Sequence, residues 1–124
     1  MRSGSLLASF GYALQGIKYA LRTQRNMKIH AAAAVVVVAA ALWLHLSWLR
    51  WIVLLLAITL VMALELLNTA LEAVVDLASP ELHPLAKAAK DTAAGAVLLA
   101  AVFAVLAGII VFYRPVMDLL GWSG

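Results

Sequence analysis

Apolar positions run through this chain in three long blocks with short polar breaks, preceded by a segment in which apolar and polar residues share a helical period. Over residues 5–25, Leu6, Phe10, Ala13, Leu14, Ile17 and Leu21 fall on one narrow face, while Gln15, Lys18, Arg22 and Arg25 fall on the other. This pattern predicts an amphipathic helix, short and basic enough to lie in a membrane interface rather than to cross it. The first block runs from about Ile29 to Leu46 through AAAAVVVVAAALWL. Its valines are β-branched, but a lone strand leaves its backbone unsatisfied in lipid, so a spanning helix is expected. His45 and Ser47 mark its exit, with Trp43, Trp48 and Trp51 clustered there as an aromatic belt. A short turn near Ser47–Arg50 makes the first two spans a helical hairpin. The second span runs from about Trp51 to Leu77, long enough to project beyond the hydrocarbon, and Ser79-Pro80-Glu81-Leu82-His83-Pro84 then breaks it. The third begins near Leu85 and extends to about Tyr113, with no charge over residues 92–113, and Arg114-Pro115 is expected to end it. Within it Ala96, Ala100, Ala104 and Gly108 recur every fourth residue, a small-residue seam that lets another helix approach closely.

Composition supports a bilayer as the solvent. Of 124 residues, 66% are hydrophobic and 12% charged, against roughly half and a quarter in soluble domains. A chain this short cannot hide so much apolar surface from solvent. A soluble enzyme, a disordered tail and a multi-domain architecture are excluded, and residues 1–124 read as one all-α membrane domain. There is no cysteine, hence no disulfide or thiolate chemistry. The net charge of +3 is read as a topology signal rather than as a nucleic-acid footprint, so no nucleic-acid partner is expected. Ser9, Gly11, Gln15 and Lys18 interrupt the first 20 residues, which argues against a cleavable signal peptide. Arg2, Lys18, Arg22, Arg25, Lys28, Lys87 and Lys90 fall on one side of the predicted spans, and only Arg50 and Arg114 on the other. That asymmetry places the amino terminus and the Pro80 loop in the cytoplasm.

The few polar residues inside the spans carry the functional signal. Glu65, Asn68, Glu72 and Asp76 stand at i, i+3, i+7 and i+11, one stripe along the cytoplasmic half of the second span. A charge near the bilayer centre costs about 2.5–3.5 kcal/mol on insertion scales, so three carboxylates here require cations, a metal or protonation. Lys87, Lys90 and Asp91 begin the next helix, with Lys87 and Asp91 at i,i+4. Carboxylates that hold Mg²⁺ beside phosphate-neutralising lysines are what phosphoryl transfer requires, and a further carboxylate can accept the proton of an attacking hydroxyl. The plainer reading is that the carboxylates and lysines pair to bind the bundle together. Gly11 to Gly16 imitates Walker-motif glycine spacing, but Ile17-Lys18 follows and no strand precedes it. His30, His45 and His83 are far apart in sequence and read as interfacial polar residues. Two other classes compete with a kinase: a proton-coupled transporter or channel using Glu65 and Glu72, and a structural membrane subunit. A transporter needs polar groups through the outer half as well, where residues 51–64 and 92–113 offer none stronger than Thr59 and Thr92.

The blocks E-L-L-N-T-A-L-E-A-V-V-D and S-P-E-L-H-P-L-A-K-A-A-K-D-T-A-A-G-A-V, with G-Y-A-L-Q-G-I-K-Y-A near the start, resemble the small bacterial membrane kinases of the diacylglycerol kinase and undecaprenol kinase family. The resemblance covers nearly the whole chain. It implies a homotrimer in the bacterial cytoplasmic membrane, with ATP and Mg²⁺ at a cytoplasmic-side site shared between neighbouring chains and a lipid alcohol as acceptor. On that resemblance Glu65 is the general base and Glu72 a ligand of catalytic Mg²⁺, with Asn68 and Asp76 in the same shell. Lys90 and Asp91 match the pair contacting ATP, Glu81, Leu82 and His83 the loop passing the nucleotide, and Tyr12 a nucleotide-contacting aromatic. Lys28 matches a basic residue near the site. Gln24 stands where the family usually has a metal-holding glutamate. An amide oxygen still binds Mg²⁺ but brings no charge, so weaker metal affinity or a rearranged site is expected. Ser5 replaces an ATP-contacting arginine of some members, with Arg2 as a substitute. R-N-M-K-I-H and the S-P-E-L-H-P loop are more similar to the undecaprenol kinase branch. The acceptor, undecaprenol or diacylglycerol, stays open, as both lipids present a primary hydroxyl.

Overall fold

A computed structural model describes residues 4–122; Arg2 lies outside them. Among the described residues the chain forms four α-helices: α1 (Leu6–Thr23), α2 (Arg25–Leu44), α3 (Trp48–Ala78) and α4 (Pro84–Leu119). The last three are long and apolar enough to cross a membrane. At a rise of about 1.5 Å per residue, the 31 residues of α3 extend ~46 Å, against ~30 Å of hydrocarbon.

Local chemistry explains most helix ends. Ser5 caps α1 by accepting the Ala8 N–H, Ser47 caps α3 by accepting the Arg50 N–H, and His83 caps α4 through Nδ1, which accepts the Leu85 N–H at 3.0 Å. Pro84 then occupies the first turn of α4, where its missing N–H has no partner to lose. His45 closes α2 in the left-handed region at φ 53°, and Ser79 ends α3.

Three boundaries differ from the sequence expectation. The predicted surface helix over 5–25 stops at Thr23, and Arg25 already belongs to α2. Gln24 between them is extended, at φ −111° and ψ 117°. No glycine or proline stands near it; the bend lets Ala20 and Met27, each 1% exposed, both pack inward on either side of it. The first turn is His45–Ser47, so α3 begins at Trp48 and Arg50 sits inside it, because the Ser47 cap nucleates the helix ahead of the tryptophans. Pro115 does not end α4, which continues to Leu119. Proline withholds one N–H from the carbonyl a turn earlier, and the Leu120 N–H to Val116 carbonyl bond at 3.0 Å resumes the ladder beyond it.

The helices meet mainly along α3. It packs lengthwise on antiparallel α4, with Leu54, Ala57, Val61, Glu65 and Asn68 buried along α3 and Val97, Ala100, Ala107 and Val111 buried along α4. These positions recur every third or fourth residue, as a helix face requires. Ala41, Leu46, Leu54 and Val111 form an apolar cluster where α2, α3 and α4 converge at the end away from the polar stripe. Most large apolar side chains face outward, including Leu6, Phe10 and Leu14 of α1, Trp43 and Trp48 near the first turn, and Leu98, Leu99, Ile109 and Ile110 of α4. Of the small-residue seam, Ala100 is buried, whereas a Cβ at Gly108 meets no atom of this chain within 4 Å.

Candidate active site

The polar stripe of α3 is graded in burial. Glu65 is 1% and Asn68 7% exposed, Glu72 is half-buried and Asp76 exposed. One turn apart on the same face, the Glu65 Oε2 and Asn68 Oδ1 oxygens are both buried without a hydrogen-bond partner. Thr69 beside them spends its hydroxyl on the Glu65 carbonyl at 2.9 Å. Toward the Pro80 loop the stripe meets cations. Lys90 of α4 pairs with Asp76 across the two helices, and Lys87 pairs with Asp91 along α4, as the i,i+4 spacing predicts. The Asp76–Lys90 pair bridges α3 and α4 where they run antiparallel.

Two further elements reach this level. His30 of α2 places Nε2 at 3.8 Å from Glu65 Oε2, which is ion-pair range and longer than a hydrogen bond. The sequence reading gave His30 no part in the site. Its signal was the inward stripe Met27, His30, Ala34, Val37 and Ala41, at i, i+3, i+7, i+10 and i+14, whose members are buried or half-buried. A groove of about 340 Å³ opens between α1 and α3, lined by Ala13, Gly16, Ile17 and Ala20 on one side and Leu66 and Ala70 on the other. It flanks the turn that carries Glu65 and Asn68 and is apolar.

The remaining residues singled out from sequence are placed as follows. Tyr12 is half-buried on α1. Gln24 is half-buried at the α1–α2 bend, its Nε2 donating to Thr23 Oγ1 at 3.5 Å, and Lys28 is exposed one turn into α2. Glu81, Leu82 and His83 lie exposed in the loop between α3 and α4, where the Glu81 carbonyl accepts the Ser79 hydroxyl at 3.0 Å and His83 serves as a helix cap. Within one chain, then, the structure joins Glu65 to His30, Asp76 to Lys90 and Lys87 to Asp91. Among the described residues, no three His, Cys, Asp or Glu side chains group closely enough to hold a metal by themselves.

The sequence model of the prokaryotic diacylglycerol kinase family matches residues 11–112, which include α2, α3 and most of α1 and α4. The chain belongs to this family. It is similar to a diacylglycerol kinase of Synechocystis sp., 53% identical over 117 residues, which cover 94% of this chain and 67% of that protein. An undecaprenol kinase of Bacillus subtilis is 47% identical over 104 residues, 84% of this chain and 85% of its own length. A diacylglycerol kinase of Escherichia coli is 34% identical over 101 residues, 82% and 83% of the two chains. Family membership makes this a membrane-embedded lipid kinase, with ATP as co-substrate. It sets aside the transporter and the structural subunit.

Proposed function

We propose that this chain transfers the γ-phosphoryl group of ATP to the primary hydroxyl of a membrane lipid at the cytoplasmic face of a bacterial membrane, with Glu65 as the general base. The observation that carries this reading is the buried Glu65 carboxylate oxygen, which has no hydrogen-bond partner, at the foot of a stripe that emerges at Asp76 and Lys90. A lipid hydroxyl arriving from the bilayer reaches Glu65 first, and a nucleotide arriving from water reaches Lys90, Asp91 and Asp76 first. The apolar groove between α1 and α3 is suited to the hydrocarbon chain of the acceptor, holding its hydroxyl near Glu65 and converting a bimolecular encounter into an oriented one. Lys90, released from Asp76, stabilises charge on the phosphates.

Mg²⁺ fits the donors present. Asn68 Oδ1 is buried and unpartnered, and Glu72 stands on the next turn of the same face. Mg²⁺ takes hard oxygen ligands, one or two carboxylates plus substrate phosphates rather than a cage of protein groups. Glu72 and Asn68 would hold it, with Gln24 as the neutral third donor, and the ion would neutralise phosphate charge. Tyr12, Lys28 and the Glu81–His83 loop complete the nucleotide side of this reading. The lysine and arginine distribution supports a cytoplasmic amino terminus and active site. The outward Leu6, Phe10 and Leu14 of α1 support its lying in the interface. The uncovered α4 face and the open space at Gly108 support a homotrimer.

Two of the similar proteins are named for diacylglycerol and one for undecaprenol, so both lipids are acceptor candidates. The test offers each separately with γ-labelled ATP and Mg²⁺ in mixed micelles, with Glu65→Gln as the blank. Label in either lipid that vanishes in the blank supports the reading and identifies the acceptor. Label that persists in the blank removes Glu65 as the base.

A further inference from the structure

A base buried as deeply as Glu65 has a second task besides taking a proton: it must lose that proton before the next turnover. The carboxylate is 1% exposed, so bulk water does not reach it directly. About three turns in from the Asp76–Lys90 pair, level with Glu65, α4 offers Ala100 and Ala101, which carry no proton. From α2, however, His30 brings Nε2 to 3.8 Å from Oε2, and its side chain is 24% exposed. It therefore connects an enclosed oxygen to the outside. An imidazole accepts a proton on one ring nitrogen and releases one from the other, so it passes charge on without moving. His30 also lies in the second turn of α2, near the exposed Lys28 and the bend at Gln24, where the chain reaches the polar side of the molecule.

We propose that His30 acts behind Glu65 as the outlet for its proton, an inference that rests on the reading of Glu65 as general base. In the transfer, the lipid oxygen forms a bond to Pγ as the bond from Pγ to the bridging oxygen of ADP breaks. The hydroxyl proton goes to the Glu65 carboxylate and from there to His30 Nε2 as the 3.8 Å separation closes to hydrogen-bond length in the substrate complex, while the proton on Nδ1 leaves to water. One lipid phosphate, one ADP and one proton are formed per ATP consumed; Glu65 returns to its carboxylate, and His30, left with its proton on Nε2, regains the Nδ1–H form by proton exchange with water before the next turnover. His30 touches neither substrate; it is a positioning residue that works through Glu65.

The experiment compares wild type, His30→Gln, His30→Ala and Glu65→Gln in mixed micelles, reading kcat and the two KM values, with and without added imidazole. Glutamine keeps a polar side chain of similar reach beside Glu65 but cannot shuttle a proton. The proposal expects His30→Gln to lower kcat on the order of a hundredfold while both KM values stay within about twofold. It also expects imidazole to restore His30→Ala in a concentration-dependent way, which repair of a packing defect would not produce. His30→Gln at wild-type kcat overturns the proposal, as does a slow, folded His30→Ala that imidazole leaves unchanged. Glu65→Gln separates the two readings: if it is inactive while His30→Gln turns over normally, only the outlet falls. If Glu65→Gln retains full turnover, the base and the outlet fall together.

Discussion

Replacing Glu65 by leucine separates the two jobs a buried carboxylate can have. Leucine fills a similar volume but removes the charge and the oxygen that finds no hydrogen-bond partner. A buried polar group left unpartnered costs about 1–3 kcal/mol. Against that gain stands the loss of the His30 contact, which at 3.8 Å is too long for a hydrogen bond and is worth at most ~1 kcal/mol. Glu65→Leu should therefore stabilise the bundle by roughly 1–2 kcal/mol. Turnover should fall by about 10²–10⁴-fold, the usual contribution of a general base. Helix content followed through an SDS titration in mixed micelles measures the first quantity, and γ-phosphate transfer the second. A variant that loses more than ~1 kcal/mol would refute the reasoning. Glu65 would then be holding the helices together, and its loss of activity would be a consequence of unfolding.

The other expectations follow from groups nearby. Gln24→Glu adds a negative charge at the α1–α2 bend and should lower the Mg²⁺ concentration for half-maximal rate by about tenfold; an unchanged Mg²⁺ titration removes position 24 from the metal site. Lys90→Gln should reduce kcat/KM for ATP by roughly tenfold or more while the SDS unfolding midpoint stays put, because its partner Asp76 is exposed. Equal losses in both assays would make the pair structural. Gly108→Leu meets no obstacle within the chain, so it should leave helix content unchanged and, if the proposed trimer forms through this face, lower the yield of cross-linked oligomer; an unaffected yield takes Gly108 out of any interface.

The sequence made the spans, the break after Leu77 and the α3 stripe readable because each depends on residues close in the chain. Ser79 and the Lys87–Asp91 pair act over one turn or less, and the stripe is pure helical periodicity; Ser47 reads from sequence as part of the turn, and its cap on the Arg50 N–H moves the start of α3 to Trp48. What escaped depends on contacts between helices. The bend at Gln24 has no local breaker and exists because Ala20 and Met27 both pack inward. The partner of Lys90 is set by the register of α3 on α4, and α4 crosses Pro115 because one missing N–H near a helix end is tolerated. His30 escaped because its neighbour Glu65 belongs to another helix. A lone histidine has no spacing pattern of its own; only the stripe of Met27, Ala34, Val37 and Ala41 around it marks its direction.

The length of α3 makes it a depth gauge. With Trp48 anchored at the far headgroup level, ~30 Å of hydrocarbon takes up about 20 residues of helix, which brings the near boundary to the turn of Asn68. Glu65 then lies just below the headgroups, and Glu72, Asp76 and Lys90 stand above them. On the proposed function, neither substrate then has to leave its own phase to meet the other. Every added ~3 Å of bilayer thickness draws two more residues of α3 into hydrocarbon. Phosphoryl transfer in vesicles of increasing acyl-chain length should accordingly pass through a maximum, as the lipid hydroxyls rise past the level of the base.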